Sequence, residues 1–237
     1  MVFASWLRIG GVFPRANLKR SKSAPSEIHC RHGATSWDSM FVCIYAEDLI
    51  HLPVHAEIWD PATEEFTLLE ATHVHGRTYH STAALLPDGR VFTGGGGLCG
   101  SGMNDIVTLC KGDVDPNHLD FEIFNPPYLF AADGSLAPRP TIEVSAKTAK
   151  HGAALTVTSG EPLMMVSFIR MGSATHSTNT DQRRLELCGP ATTACGASPV
   201  TVTVPSDPGI ALPGNWMVFG VNADGVPSVA STVLVGL

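Results

Sequence analysis

Residues 163–187 read LMMVSFIRMGSATHSTNTDQRRLEL, and in this stretch two strand-like segments flank a long polar connection. The segments 163–170 and 183–187 predict two β-strands of one domain. The connection consists mainly of small and polar residues, which lets its backbone pack closely against another surface. Loops of this length are often functional. The stretch therefore predicts an all-β domain that carries a functional loop.

Further strands with turn signals between them surround this stretch from residue 139 to the end of the sequence. The predicted strands are 141–144, 154–158, 163–170, 183–187, 200–204, 214–221 and 228–235. Seven short strands in about 97 residues are typical of an Ig-like β-sandwich. We expect Trp216 to lie in its core. A domain boundary is predicted near Pro138, so that residues 139–237 form the sandwich.

A different repeating pattern precedes this boundary. The segments EIWDP (57–61) and FEIFNPP (121–127) both combine an acid, aliphatic and aromatic residues, and Asp or Asn before Pro. Between them lie a Pro-Asp-Gly hairpin signal at 87–89 and a run of glycines at 94–97. This pattern indicates β-propeller blades over residues 51–138, with room for about one and a half blades where a closed ring needs at least about four. Residues 1–50 are left as an unassigned basic leader and linker.

Composition excludes several classes of protein. Of the 237 residues 44% are hydrophobic and 16% are charged, which permits a sizeable core, and the net charge of −7 argues against a general nucleic-acid binder. No apolar run approaches the roughly 20 residues of a membrane helix. Residues 1–26 are basic but lack the features of a convincing secretory signal. An organelle transit peptide and a non-native start from a truncated gene model remain open for this leader.

The six cysteines include no Cys-x-x-Cys pair, so a structural zinc site is not expected. Cys99 with Cys110, and Cys188 with Cys195, are close enough in the sequence to form two local disulfides. Such short loops indicate an oxidising compartment. The alternative is four buried, reduced thiols.

Most of the ten histidines lack neighbours that would suggest a metal site. Two places differ: the segment 77–81, which contains Tyr79 and His80, and the polar connection 172–184, which contains His176. At these two places the sequence resembles a known family. The resemblance is carried by RTYHSTAALLPDGRVFTGGGGLCG (77–100), HLDFEIFNPPYL (118–129), GSATHSTNTDQRR (172–184), VPSDPGIALPGNWMVF (204–219) and GVPSVAST (225–232).

These segments resemble galactose oxidase and glyoxal oxidase, the copper radical oxidases, from about residue 55 to the end. The similarity covers only the C-terminal part of that family, namely the last kelch-type propeller blades and the Ig-like early set domain. The fold that it implies is all-β, with an incomplete propeller remnant followed by the sandwich. The activity that it implies is oxidation of primary alcohols, aldehydes or sugars by O2, with release of H2O2, in an extracellular enzyme.

The resemblance also implies a copper site. Tyr79 matches the axial tyrosine that acts as the general base, and His80 and His176 match the two equatorial copper ligands. Imidazole and phenolate donors suit Cu(II). Because the histidines lie in different predicted domains, the site depends on how these domains dock.

The family's second one-electron acceptor, a tyrosine cross-linked to a cysteine, lies in earlier blades. The chain has only three tyrosines, at 45, 79 and 128. Tyr128 matches a structural stretch, and the context of Cys43 and Tyr45 does not match the radical site. We therefore expect the chain alone to lack the radical cofactor and to be inactive, with open propeller edges available for association. The alternative is a non-catalytic β-sandwich module that binds carbohydrate or protein.

Overall fold

The structure is a computed structural model, and it describes residues 6–9, 55–60, 65–74, 81–95, 118–175, 178–179 and 181–236. Strands dominate these residues, as the sequence predicted; a 3-10 helix at Pro127–Leu129 accompanies them. Within these ranges no helix is long and apolar enough to cross a membrane.

The N-terminal half contains two small antiparallel sheets. Their strands are β1 (Trp6–Ile9), β2 (His55–Asp60), β3 (Glu65–Thr72), β4 (Ser81–Leu85), β5 (Val91–Gly95) and β6 (Phe121–Phe124), ordered β1-β2-β3 and β4-β5-β6. Apolar side chains from both sheets form one small cluster, in which Ala56 lies with Ala83 and Val91. Glu122 on β6 accepts a 3.1 Å bond from the backbone N–H of Val74, just beyond β3. The two sheets therefore pack against each other, as neighbouring propeller blades would.

The turn between β4 and β5 follows from its sequence. Leu86 and Arg90 are joined by a 2.8 Å backbone bond, and the Asp88 carboxylate accepts a 3.0 Å bond from the backbone N–H of Arg90. Gly89 has a φ of +79°, a conformation that residues with a Cβ atom rarely adopt. The Pro-Asp-Gly signal thus forms the predicted hairpin.

The C-terminal half is a two-sheet sandwich. Its strands are β7 (Ile142–Val144), β8 (Thr148–Ala149), β9 (Ala154–Ser159), β10 (Met165–Arg170), β11 (Ala174–Thr175), β12 (Thr178–Asn179), β13 (Arg184–Cys188), β14 (Val200–Thr203), β15 (Gly214–Val221) and β16 (Ser231–Val235). One sheet has the order β13-β10-β15-β16-β8 and the other β14-β9-β7, while β11 and β12 pair only with each other. Each of the seven sandwich strands predicted from the sequence corresponds to one of these.

The sandwich core lies between the two sheets. In β9 and β14 buried residues alternate with more exposed ones, so that Leu155, Val157, Val200 and Val202 face inwards. Trp216 is fully buried, as predicted, and stacks on Phe168 with 4.6 Å between ring centroids. The alternation explains why these strands could be found from their sequence.

Arg139 joins the two halves. Its guanidinium donates to the Asp88 carbonyl in the β4–β5 turn at 2.6 Å and to the carbonyls of Pro227 and Ser228 at 2.8 and 2.6 Å. The Tyr128 hydroxyl donates to the Gly89 carbonyl in the same turn at 2.6 Å. Ala230 adds a 2.8 Å backbone bond to the Pro87 carbonyl. The β4–β5 turn is therefore held against the loop between β15 and β16.

Some strands were not predicted. Trp6–Ile9, in the leader that we left unassigned, pairs with β2, with Trp6 opposite Trp59. β8, β11 and β12 have two residues each. Strands of this length contain no full period of alternation, so the sequence gives no signal for them.

Candidate functional site

The polar connection, predicted over 172–184, corresponds in the structure to residues 171–182, which lie between β10 and β13. These strands pair along their length, with Ile169 opposite Arg184, and the backbone N–H of Arg170 donates to the Arg183 carbonyl at 2.9 Å. Just beyond this bond Arg170 Nε donates to Asp181 Oδ2 at 2.8 Å. The connection is thus closed at its base by a backbone bond and an ion pair.

Strands β11 and β12 lie within this connection. Thr175 is paired with Thr178, so the chain passes from one strand to the other through residues 176 and 177. Asn179 supports the return: its Oδ1 accepts the backbone N–H of Asp181 at 3.0 Å, and its carbonyl accepts Gln182 Nε2 at 3.1 Å. The Asn179 side chain lies directly over Gly172, where a Cβ atom would overlap it.

The connection also reaches the N-terminal half. Cα atoms of β11 lie within 8 Å of Cα atoms of β4. β11 ends at Thr175, directly before His176, and β4 begins at Ser81, directly after His80. β11 and β4, which belong to different halves of the chain, are therefore neighbours, and each adjoins one of the two predicted copper ligands in the sequence.

The predicted ligands themselves, Tyr79, His80 and His176, lie outside the described residues. Their assignment stays a prediction. Within the ranges that are described, no group of three or more His, Cys, Asp or Glu side chains could hold a metal ion. Cys43 and Tyr45, and the predicted pair Cys99 and Cys110, also fall outside those ranges.

A cavity of about 380 Å³ lies beneath the connection, between the β4–β5 hairpin and the five-stranded sheet of the sandwich. Much of its lining is apolar, including Leu85, Met217 and Phe219. Arg184 is a charged residue in the lining; its Nε donates to Ser167 Oγ at 3.1 Å, and Glu186 lies 3.7 Å from its Nη2. Burial lowers the pKa of Arg184, and the charge of Glu186 opposes this effect.

Several expectations about single residues can be compared with the structure. Cys188 and Cys195 form the predicted disulfide. Tyr128 is structural, since its hydroxyl fixes the β4–β5 turn. His151 bonds to the Ala211 carbonyl at 2.7 Å, and His73 Nδ1 lies 3.3 Å from Glu122 Oε2.

Sequence reasoning missed the roles of Arg170 and Asp181. The sequence places Asp181 in a polar loop and Arg170 at the end of a predicted strand, with no sign that the two side chains meet. Their pairing depends on where the loop returns to the sheet, which a single sequence does not reveal. Two charged residues of opposite sign at the two ends of a long loop were the available signal.

Comparison with known proteins identifies the C-terminal half. Residues 139–235 match the family model of the galactose oxidase-like early set domain. The galactose oxidase of Gibberella zeae is 48% identical over 160 residues, which cover 67% of this chain and 21% of that protein. Residues 139–235 thus belong to the galactose oxidase-like early set domain family, and the relatives that match the C-terminal part of this chain are galactose and glyoxal oxidases. The family model covers nearly all of the β-sandwich, which is called the early set domain below.

Two further relatives extend the match beyond the early set domain. The aldehyde oxidase GLOX of Vitis pseudoreticulata is 35% identical over 164 residues, covering 66% of this chain and 29% of that protein. A solved structure described as a fungal alcohol oxidase of the AA5 family in complex with copper superposes with a TM-score of 0.65 at 39% identity. It covers 78% of this chain and 36% of its own. The chain thus spans about a fifth to a third of the length of these relatives.

Proposed function

We propose that this chain carries the C-terminal part of a copper radical oxidase, an enzyme that oxidises primary alcohols, aldehydes or sugars with O2 and releases H2O2. The observation that carries the proposal is the approach of β11 to β4, because it brings the segment before His176 to the segment after His80. The matched galactose oxidase, aldehyde oxidase and copper-containing alcohol oxidase support it.

In this proposal His80, His176 and Tyr79 would hold copper. The donor set fits: two imidazoles and a phenol oxygen suit Cu(II). The backbone also agrees with this assignment. β11, which ends just before His176, has Cα atoms within 8 Å of β4, which begins just after His80. Bound copper would supply one-electron redox chemistry and a Lewis-acidic position for the substrate oxygen.

The chain's own residues would contribute a proton acceptor and a fixed geometry. Tyr79 would take the proton of the substrate hydroxyl as the general base. The connection 171–182, closed by Arg170 and Asp181, would deliver His176 to the half of the chain that contains Tyr79 and His80. The junction through Arg139 would keep the two halves in the register that this requires.

We also propose that the 237 residues lack the radical cofactor. Oxidation of an alcohol to an aldehyde removes two electrons, whereas a single bound copper ion would provide an acceptor for only one. The second acceptor that the family resemblance implies is a cross-linked tyrosine, and none of Tyr45, Tyr79 and Tyr128 lies in the matching sequence context. The chain on its own would then bind copper without turning over substrate.

The proposed organisation keeps the predicted boundaries: a leader and linker at 1–50, partial kelch-type propeller blades at 51–138 and the early set domain at 139–237. The outer strands β3 and β6 would present open edges for association with further blades. An extracellular location agrees with the disulfide between Cys188 and Cys195.

Copper titration tests the metal assignment. Cu(II) binding to the full chain is measured by calorimetry beside His80→Ala and His176→Ala, with His151→Ala as the matched control because His151 bonds to a backbone carbonyl within the sandwich. We expect both ligand variants to lose affinity and the control to bind as the parent does. Equal binding by all four proteins would refute the assignment.

A peroxide-coupled assay tests the catalytic part. The copper-loaded chain is given galactose and methylglyoxal, and Tyr79→Phe is run beside it. We expect no turnover by either protein. Turnover by the parent that disappears in Tyr79→Phe would mean that this chain contains a second electron acceptor after all.

A further inference from the structure

Arg170 and Asp181 form an ion pair at the base of the connection 171–182, with 2.8 Å between Arg170 Nε and Asp181 Oδ2. We propose that this pair is a positioning device: it orders the connection and thereby fixes where His176 stands. The ordering of the connection is independent of any metal. Only its consequence for copper rests on the proposed function.

Arg170 is a rigid anchor for the pair. It is the last residue of β10 and lies opposite Trp216 of β15 in the sheet. Its guanidinium carbon is 5.8 Å from the centroid of the Trp216 ring, and that ring is fully buried, with its Nε1 donating to the Leu212 carbonyl at 2.9 Å. The cation is therefore held by a side chain that the core itself immobilises.

Gly214 makes room for this arrangement. A Cβ atom at position 214 would overlap the Arg170 guanidinium. Gly214 also has a φ of +129°, which residues with side chains rarely adopt. The absence of a side chain at Gly214 thus leaves space for the Arg170 guanidinium.

Asp181 connects the ion pair to strands β11 and β12. Its backbone N–H donates to Asn179 Oδ1, and Asn179 is paired with Ala174 across β11 and β12. These contacts run from the anchored cation to the strands that adjoin residues 176 and 177. The side chains of Arg170 and Asp181 are 14% and 25% exposed, so water screens their bond less than it screens a surface pair.

The competing role is general stabilisation of the sandwich. The two roles differ in where an effect appears. Loss of a positioning contact loosens residues 172–182 alone, whereas loss of a contact that stabilises the whole sandwich loosens the strands as well.

Hydrogen exchange on the metal-free full chain separates these roles. The variant is Asp181→Asn, which removes the charge and keeps the size. The matched control is Asp224→Asn, since Asp224 is exposed and its carboxylate has no partner within the described residues. We expect amides of 172–182 to exchange about tenfold faster in Asp181→Asn, with β9, β10 and β15 unchanged and the control like the parent.

The same proteins are then titrated with Cu(II), beside His176→Ala. We expect Asp181→Asn to weaken binding by about 10–100-fold, the range for residues that orient metal ligands, and to alter the copper electron paramagnetic resonance spectrum. Exchange in 172–182 equal to that of the parent, or faster exchange throughout the sandwich, would overturn the inference. Faster exchange confined to 172–182, with copper binding unchanged in His176→Ala, would uphold the ordering role and refute the copper assignment instead.

Discussion

The guanidinium Nη1 of Arg139 and the backbone carbonyl of Asp88 lie 2.6 Å apart, and this bond joins the β4–β5 turn to the start of the early set domain. Two more donors of the same guanidinium reach the carbonyls of Pro227 and Ser228. Three acceptors around one planar cation fix a direction as well as a distance. Arg139 therefore helps to fix how the two halves of the chain meet, together with the bonds from Tyr128 and Ala230.

Removal of Arg139 should loosen this junction. In Arg139→Ala three carbonyls lose a charged donor, two of them on residues that are buried. We expect a loss of about 2 kcal/mol in the free energy of unfolding, measured in urea. Arg139→Lys should recover only part of it, because an ammonium group cannot reach three separate acceptors with the same geometry.

Arg90→Ala is the control for this measurement. Arg90 bonds to the Asp88 carboxylate at 2.7 Å on the exposed side of the same turn. An exposed pair of this kind contributes about 0–1 kcal/mol. If Arg90→Ala lowers the free energy of unfolding as much as Arg139→Ala does, the loss comes from the turn itself and not from the junction between the two halves.

Tyr128 should make stability depend on alkaline pH. Burial raises the pKa of its phenol above the usual value of 10.0, while the charge of Arg139 works in the opposite direction. A raised pKa in the folded chain means that the stabilisation is complete below the unfolded value and is lost as the pH rises beyond it. We expect the free energy of unfolding to fall above about pH 10.

In Tyr128→Phe this alkaline loss should become smaller, while stability at neutral pH drops by about 1 kcal/mol because the bond to the Gly89 carbonyl is gone. The measurement is urea unfolding at several pH values from 7 to 11, a range chosen to span the usual tyrosine pKa of about 10. An identical pH profile in the variant would show that another group causes the alkaline loss.

The disulfide between Cys188 and Cys195 should stabilise the early set domain. Its partners are seven positions apart, and closing so short a loop is worth about 2 kcal/mol in the chain-entropy model. We expect Cys188→Ala/Cys195→Ala to lower the free energy of unfolding by about that amount, and dithiothreitol to have little further effect on this variant's early set domain. Non-reducing peptide mapping of the parent checks this bond and the predicted bond between Cys99 and Cys110; free thiols at all four positions would contradict both.

Gly214→Ala tests the open place beside Arg170. The new methyl group would overlap the guanidinium and would require an unfavourable backbone conformation, so we expect a loss of about 2–3 kcal/mol. Gly160→Ala is the matched control: a Cβ there meets only Thr141 Oγ1, at 3.9 Å. Thermal unfolding of both variants decides, and equal melting temperatures would mean that position 214 tolerates a side chain.

The sequence predicted elements whose own pattern is strong. β15 is predicted at 214–221 and spans Gly214–Val221. A largely apolar segment of this length between turn residues strongly favours a buried strand. The β4–β5 turn followed from Pro-Asp-Gly, and the bond between Cys188 and Cys195 from their spacing. Each of these signals lies within about ten residues of sequence.

The contacts that were missed join distant residues. Arg139 lies 88 and 89 positions from the residues whose carbonyls it binds in the β15–β16 loop, and nothing in the sequence near Arg139 indicates them. The approach of β11 to β4 likewise depends on the docking of two halves. The copper ligands were proposed from family resemblance, since a tyrosine next to a histidine and a second histidine in a loop do not by themselves define a metal site.

The chemistry of the junction has a consequence for how this chain can evolve. The described bonds from Arg139, Tyr128 and Ala230 to the β4–β5 turn all end on backbone oxygens, those of Pro87, Asp88 and Gly89. Any residue supplies a backbone oxygen, so mutations at positions 87 and 88 can be accepted without breaking these bonds as long as the turn keeps its shape. The side-chain donors have no such freedom. Selection at this junction should therefore act on Arg139, Tyr128 and Gly89, while the rest of the turn drifts.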